Sequence, residues 1–222
     1  MVTTLYLVRH GETEGSEAKR YKGSIDVPMS KNGIEQIKKT STFISAETRK
    51  RGSAEVTSEL TAIYCSPLSR ALKSAEIIAE PNGLQPVETP ELRERSFGIW
   101  EGMTFTEIKE KYPAEFGAWA NDPLRYSPIE GESTIAVKDR VIPSLTRILE
   151  SHKGENIAVV AHGGVNRIIL CHFLGIPMEN IFRIEQDYAA VNIIELWDKY
   201  PVVKLLNGGG IGQEKKWQGY SL

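Results

Sequence analysis

Two histidines, His10 and His162, each follow a short apolar run and lead into glycine, in Leu5-Tyr6-Leu7-Val8-Arg9-His10-Gly11-Glu12-Thr13 and Ile157-Ala158-Val159-Val160-Ala161-His162-Gly163-Gly164. A short apolar run bounded by Gly reads as a buried strand, and open α/β sheets bind ligands at the C-terminal ends of their strands. Both imidazoles are therefore expected at one sheet edge. A single histidine at a strand end is more often structural than catalytic, so the assignment rests on its neighbours. Phosphoryl transfer needs an in-line nucleophile, cations matched to the equatorial oxygens, and an acid for the leaving group. His10 can attack as neutral imidazole, because an ordinary pKa near ~6.5 leaves much of it unprotonated and nearby positive charge favours that form.

Arg9 supplies one guanidinium. A second is Arg70, in Cys65-Ser66-Pro67-Leu68-Ser69-Arg70-Ala71, in the first turns of a helix where free backbone N–H groups also attract an anion. Read alone, Arg70 is an ordinary surface residue paired with Glu76 or solvated. His162 is the next phosphate contact. Glu94, in Leu92-Arg93-Glu94-Arg95-Ser96-Phe97-Gly98-Ile99-Trp100-Glu101-Gly102, is the candidate acid. Between two arginines it also reads as a surface ion pair, and the acid role requires partial burial. Glu12 and Glu101 are the other carboxylate candidates.

Other chemistries fit less well. Cys65 and Arg70 stand one position too close for a tyrosine-phosphatase loop, and Gly131-Glu132-Ser133-Thr134-Ile135 is not a nucleophile elbow. His10, His152, His162 and His172 form no zinc-ligand pattern, so no metal is expected. His172 falls on the helical face of Val165, Ile168 and Ile169, which predicts a core or core-edge position. Gly208-Gly209-Gly210-Ile211-Gly212 lacks the Lys and Ser/Thr of a phosphate loop.

The elements that position these residues follow from periodicity and breakers. A strand is expected near Thr4–Val8, and a helix from Ser30-Lys31-Asn32-Gly33 to about Ser45, before a Lys/Arg-rich connector at 49–53. A short strand near Ala62–Cys65 precedes a helix with Ser66 as N-cap and Pro67 first, ended by Pro81-Asn82-Gly83. Residues 86–91 read as another strand. The segment 95–133 breaks the βαβ rhythm with two short helices divided at Pro113 and is expected to cover the site. A helix near Thr134–His152, a strand at 157–161, a helix near Val165–Leu174 and β-like segments at Ala190–Trp197 and Val202–Leu206 complete the order. This alternation predicts a three-layer α/β/α sandwich on a mostly parallel, mixed sheet, with one antiparallel strand from the final pair. One domain over 1–207 is expected, with 208–222 as a polar C-terminal tail.

The 222 residues suffice for a full core, and 41% hydrophobic with 25% charged excludes disordered and fibrous classes. A net charge of −2 without a basic run argues against nucleic-acid binding. Both cysteines, Cys65 and Cys171, lie in apolar stretches, and the chain opens on no signal-peptide pattern, which points to reduced thiols in the cytoplasm. No apolar run approaches the ~20 residues that span a bilayer.

Taken together, the Arg-His-Gly-Glu-Thr, Ser-Pro-Leu-Ser-Arg-Ala, Leu-Arg-Glu with Gly-x-Trp-Glu-Gly, Gly-Glu-Ser and His-Gly-Gly motifs stand in the order of the histidine phosphatase superfamily, which the chain resembles over about residues 3–200. The resemblance implies His10 as a nucleophile forming phosphohistidine, Glu94 as proton donor, and Arg9, Arg70 and His162 as the phosphate pocket, with no metal or cofactor. Many relatives carry an Asn where this chain has Gly15-Ser16; Ser16 is the candidate replacement. In Arg20-Tyr21-Lys22-Gly23, Gly23 is either a backbone contact to phosphate or a turn glycine. Gly163, in the His-Gly-Gly turn, is a further candidate.

Dedicated mutases of the family resemble the chain less, which favours hydrolysis of a small phosphate ester over transfer. A non-catalytic phosphate-binding module would not need Glu94. Phe97 and Tyr126 are the candidates for contact with an aromatic substrate, while Phe105, Tyr112, Phe116 and Trp119 have core spacing. Asp122-Pro123-Leu124, Glu130-Gly131-Glu132-Ser133 and the run from Phe182 to Tyr188 look most similar to the α-ribazole phosphatase branch. A phosphoserine phosphatase, a broad-specificity phosphatase and a homodimer through the late strands stay open.

Overall fold

The structure, a computed structural model, describes residues 2–51 and 59–209. Six strands, β1 (Thr3–Arg9), β2 (Ala62–Cys65), β3 (Val87–Glu88), β4 (Asn156–Ala161), β5 (Val191–Leu196) and β6 (Pro201–Gly208), form one sheet in the order β3-β2-β4-β1-β5-β6. β3, β2, β4 and β1 are parallel; β5 is antiparallel to β1 and to β6, so one strand opposes the other five. That is the expected mixed sheet.

Side chains alternate across the pleat. Leu5, Leu7, Ile157 and Val159 pack with Val137, Val141 and Leu145 of α5 (Thr134–Glu150) and with Val165, Ile168 and Ile169 of α6 (Gly163–Leu174). Tyr6, Val8, Ala158 and Val160 face Ile37 and Ile44 of α1 (Lys31–Arg51) and Ala71, Ala75 and Ile78 of α2 (Ser69–Ala79). Every residue of β4 is buried, as befits a central parallel strand covered on both faces. The insert holds α3 (Phe105–Lys111), opened by a Thr104/Glu107 capping box, and α4 (Pro113–Asn121), which begins at the expected proline.

Several boundaries differ from expectation. α2 starts at Ser69 with Leu68 as N-cap, and the Ser69 N–H donates to Asp26 Oδ1 (2.9 Å). Ser66 stays outside the helix because its hydroxyl is engaged with His162 (2.8 Å). Only Val87 and Glu88 of the 86–91 run pair with β2, because Pro90, lacking an N–H, opens a 3₁₀ turn over Pro90–Leu92. Arg49 and Lys50 belong to α1, where Lys50 pairs with Glu47 (2.8 Å); residues 52–58 of the expected connector lie outside the described residues. β6 runs to Gly208, which pairs with Val191, and residues 210–222 of the expected tail lie outside the described residues. His172 is exposed, since Phe173 rather than His172 packs on the core in the last turn of α6. Cys65 and Cys171 are buried free thiols. Among the described residues no helix is long and apolar enough to cross a membrane.

The β1–β4 register sets Arg9 opposite Ala161, so His10 and His162 are the next residues on adjacent strands. The loop after β1 is clamped against α1. The Ser30 hydroxyl caps α1 by accepting from Gly33 N–H (3.0 Å), Ser30 N–H donates to Glu12 O (2.8 Å), and Glu12 N–H donates to Gln36 Oε1 (3.0 Å). A Cβ on Gly33 would lie 2.1 Å from the Glu12 carbonyl oxygen, so this approach requires glycine. Gly33→Ala is expected to destabilise the fold by about 1–3 kcal/mol through overpacking against backbone. Urea denaturation reads this directly, and an unchanged midpoint would mean that α1 and the loop separate at no cost.

Candidate active site

A cavity of about 360 Å³ opens at the C-terminal edge of the sheet, lined by His10, His162, Arg9, Arg70 and Glu94. The imidazole centroids of His10 and His162 lie 5.1 Å apart. Both rings are buried. His10 Nδ1 is 2.7 Å from Gly11 O, and because a carbonyl only accepts, Nδ1 carries the proton and Nε2 is bare in the neutral ring. Burial, then the charges of Arg9 and Arg70, hold the His10 pKa well below its ordinary value. Burial also depresses His162, with His10, Arg70 and Arg9 adding to the effect.

Arg9 is held by a bond from Nη1 to Gln186 O (2.6 Å), and its guanidinium carbon sits 3.9 Å over the Tyr188 ring. Its Nε is buried without a protein partner among the described residues. Arg70 is 3% exposed, so it is no surface helix residue; its Nη groups donate to Ile25 O and Gly23 O (both 2.8 Å), and Glu76 pairs with Lys73 instead. A half-buried and a buried guanidinium beside neutral imidazoles make a pocket for a tetrahedral dianion.

Glu94 is half-buried. Its carboxylate is not paired with Arg93 or Arg95 side chains. Oε2 accepts from Gly164 N–H (3.0 Å), in the first turn of α6, and Oε1 accepts from Arg95 N–H (3.0 Å). A carboxylate is favoured at a helix N-terminus. A Cβ at Gly164 would stand 2.6 Å from Glu94 Oε1, so this seat requires glycine. Arg140 fastens the strap behind Glu94: it donates to the carbonyls of Glu91, Arg93 and Glu94 and forms a two-bond pair with Glu132 (2.8 and 2.9 Å).

Of the other expected site residues, Ser16, Gly23, Gly163 and Phe97 line the cavity. Tyr126 does not. Its ring stacks on Trp100 (5.6 Å, 23°) and its carbonyl accepts from Arg95, because Trp100 takes the wall position itself. Glu12 and Glu101 are anchors. Glu12 accepts from Ser30 and Asn32, and Glu101 accepts from the Ser24, Ile25 and Phe97 N–H groups, tying down the Gly23–Ile25 loop that Arg70 also grips. Among the described residues there is no cluster of three His, Cys, Asp or Glu able to hold a metal ion.

The profile of the histidine phosphatase superfamily (branch 1) matches residues 5–208. The chain belongs to that superfamily. This histidine phosphatase is similar to phosphoserine phosphatase 1 of Hydrogenobacter thermophilus (31% identity over 91% of each chain). It is also similar to the adenosylcobalamin/α-ribazole phosphatase of Escherichia coli (30% identity over 95% of this chain and 98% of the other). Its fold matches the crystal structure of the α-ribazole phosphatase of Shigella flexneri with a TM-score of 0.79 at 28% identity, covering 92% of this chain and 96% of the other.

Three parts of the phosphatase site escaped the sequence reading. Tyr188, beside both Arg9 and His10, enters from the loop before β5, at the end of a run from Phe182 that stood out only as a whole and gave Tyr188 no role of its own. Arg167 lines the cavity with its Nε bound to Ile184 O (2.7 Å), yet mid-helix it reads as a surface residue. Ser66 carried a signal that went unused: it follows β2 as His10 follows β1 and His162 follows β4.

Histidines kept neutral by the fold link stability to pH. The unfolded chain takes up protons below about pH 6.5 while the folded rings do not, so stability is complete above that value and is lost as pH falls through it. The Tm is expected to drop between pH 7 and 5, and less steeply in His162→Gln. An equally steep fall in the variant would mean that His162 is protonated in the native state.

Proposed function

We propose that this histidine phosphatase hydrolyses a small phosphomonoester through a phosphohistidine at His10. The observation that carries the reading is the bare Nε2 of His10 in a ring held neutral, among Arg9, Arg70 and His162, with the Glu94 carboxyl in the same cavity. Nε2 forms the bond to phosphorus as the ester oxygen leaves, and protonated Glu94 donates to that oxygen. Glu94, now a carboxylate, takes a proton from water, whose oxygen attacks phosphorus and breaks the P–N bond to release inorganic phosphate. Arg9, Arg70 and His162 bind the equatorial oxygens, and backbone at Gly163 and Gly23, with Ser16, borders the same volume.

The proposed substrate is α-ribazole 5′-phosphate. Tyr21 and Phe97, with ring centroids 4.6 Å apart, together with Trp100, Trp119 and the exposed Phe182, make an aromatic wall suited to a flat base. Similarity to the enzymes of that name supports the choice. A second reading, phosphoserine, is favoured by Arg167. Its Nη groups have no hydrogen-bond partner among the described residues and suit a carboxylate.

Phosphate release from α-ribazole 5′-phosphate, phosphoserine, 3-phosphoglycerate and an aryl phosphate tests both readings. His10→Ala is expected to abolish turnover and acid-labile phosphoenzyme; a persisting rate would remove the proposal. Glu94→Gln is expected to slow alkyl esters about 100-fold or more and the aryl ester far less, and equal slowing would exclude a general acid at this position. EDTA is expected to leave the rates unchanged. Release led by phosphoserine and lost in Arg167→Ala would select the second reading, and transfer between positions of phosphoglycerate would select a mutase.

A further inference from the structure

Ser66, His162 and His10 leave three neighbouring strands, β2, β4 and β1, at one edge, and Ser66 and His162 are both fully buried. Ser66 Oγ lies 2.8 Å from His162 Nε2. A neutral imidazole has one N–H and one bare nitrogen, and the partner of one nitrogen decides the state of the other. Burial and the cations around His162 keep its ring neutral.

Ser66 Oγ already accepts from Leu68 N–H (3.3 Å). Among the described residues the hydroxyl proton has no acceptor other than His162 Nε2. Protonation at Nε2 would aim two N–H groups at Oγ and strand a buried hydroxyl proton. With Nε2 as acceptor, the ring proton sits on Nδ1, the nitrogen left without a protein partner in a residue that lines the cavity. A bare Nδ1 there would repel a phosphoryl oxygen, whereas an N–H donates to it.

We infer that Ser66 is a positioning residue that sets the tautomer of His162, holding its proton on Nδ1 to meet a phosphoryl oxygen. The inference rests on the phosphatase reading for its consequence in turnover, but not for the tautomer itself. His10 and His162 then hold the same tautomer and put it to opposite uses. Both carry the proton on Nδ1, yet His10 spends it on the Gly11 carbonyl and offers bare Nε2, while His162 spends Nε2 on Ser66 and offers Nδ1–H.

Two-bond ¹H–¹⁵N correlation spectra of the ¹⁵N-labelled protein, with the His162 signals assigned by their loss in His162→Gln, read the tautomer. The wild type is expected to show Nδ1–H, and Ser66→Ala is expected to shift to Nε2–H or to exchange between forms. In the same variant kcat is expected to fall about 10- to 100-fold with KM within about threefold, because a donor to the transition state is misplaced. Ser66→Thr, which keeps the hydroxyl, is expected to recover most of kcat. Ser66→Cys keeps the shape with a weak donor, is expected to stay slow, and replaces Ser66→Ala if that variant does not fold. Wild-type His162 protonated on Nε2, or a Ser66 variant without the hydroxyl that retains both tautomer and kcat, overturns the inference. Nδ1–H in a wild type that releases no phosphate from any ester supports the tautomer and removes the phosphatase reading.

Discussion

The parallel pairing of β1 with β4, in the register that sets Arg9 against Ala161, is the constraint on which the site depends. Each strand ends one residue before a histidine, so the imidazoles stand side by side because the backbones do. A slip of one residue would exchange the faces of Leu5 and Leu7 with those of Tyr6 and Val8, and both apolar layers resist it. The register is therefore held by the core, and the catalytic geometry inherits its rigidity.

Electrostatics at that edge is arranged by exclusion of water. Arg9 and Arg70 keep their guanidiniums near the histidines by bonding to backbone carbonyls, Gln186 O for the first and Gly23 O and Ile25 O for the second. Carbonyl partners orient a cation without neutralising it, so the positive potential remains for a ligand. Burial first, and then that same potential, depress both histidines and hold the His10 ring neutral with its Nε2 bare. Behind Arg9, Gln186 and Asn192 exchange amide hydrogen bonds (2.8 and 3.0 Å), and Asn192 also donates to Leu7 O (3.1 Å). This buried pair ties the loop that carries Tyr188 to β1 itself.

Glu94 belongs to a different layer of construction. Its strap crosses the sheet edge and is fixed at two ends, by Gly164 at the start of α6 and by Arg140 from α5. The carboxyl is therefore seated at the pocket by backbone N–H groups. The insert supplies the outer wall through Phe97, Trp100 and Trp119, so part of the cavity lining hangs on the segment that breaks the βαβ rhythm.

The two apolar runs with histidine after each, the breakers at Pro67, Pro113 and Gly175, and the amphipathic helices are local signals. From them the fold class, the strand order along the chain and the meeting of His10 and His162 at one sheet edge were legible, while the place of Arg70 and Glu94 beside them rested on the family resemblance, since each read alone is a surface residue. What was not legible depends on partners distant in sequence. Ser66 looked like a helix cap because that is the commoner use of Ser before Pro, and the imidazole that claims it lies on another strand. Tyr126 looked like a pocket residue because it sits in a loop, and only the packing of Trp100 shows which ring has the wall. Glu12 and Glu101 carry the same carboxylate as Glu94, and nothing local tells an anchor from an acid. Residue type and periodicity decide which chemistry a chain can hold, while the choice among equivalent side chains is made by long-range contacts that only the folded chain brings within hydrogen-bond distance.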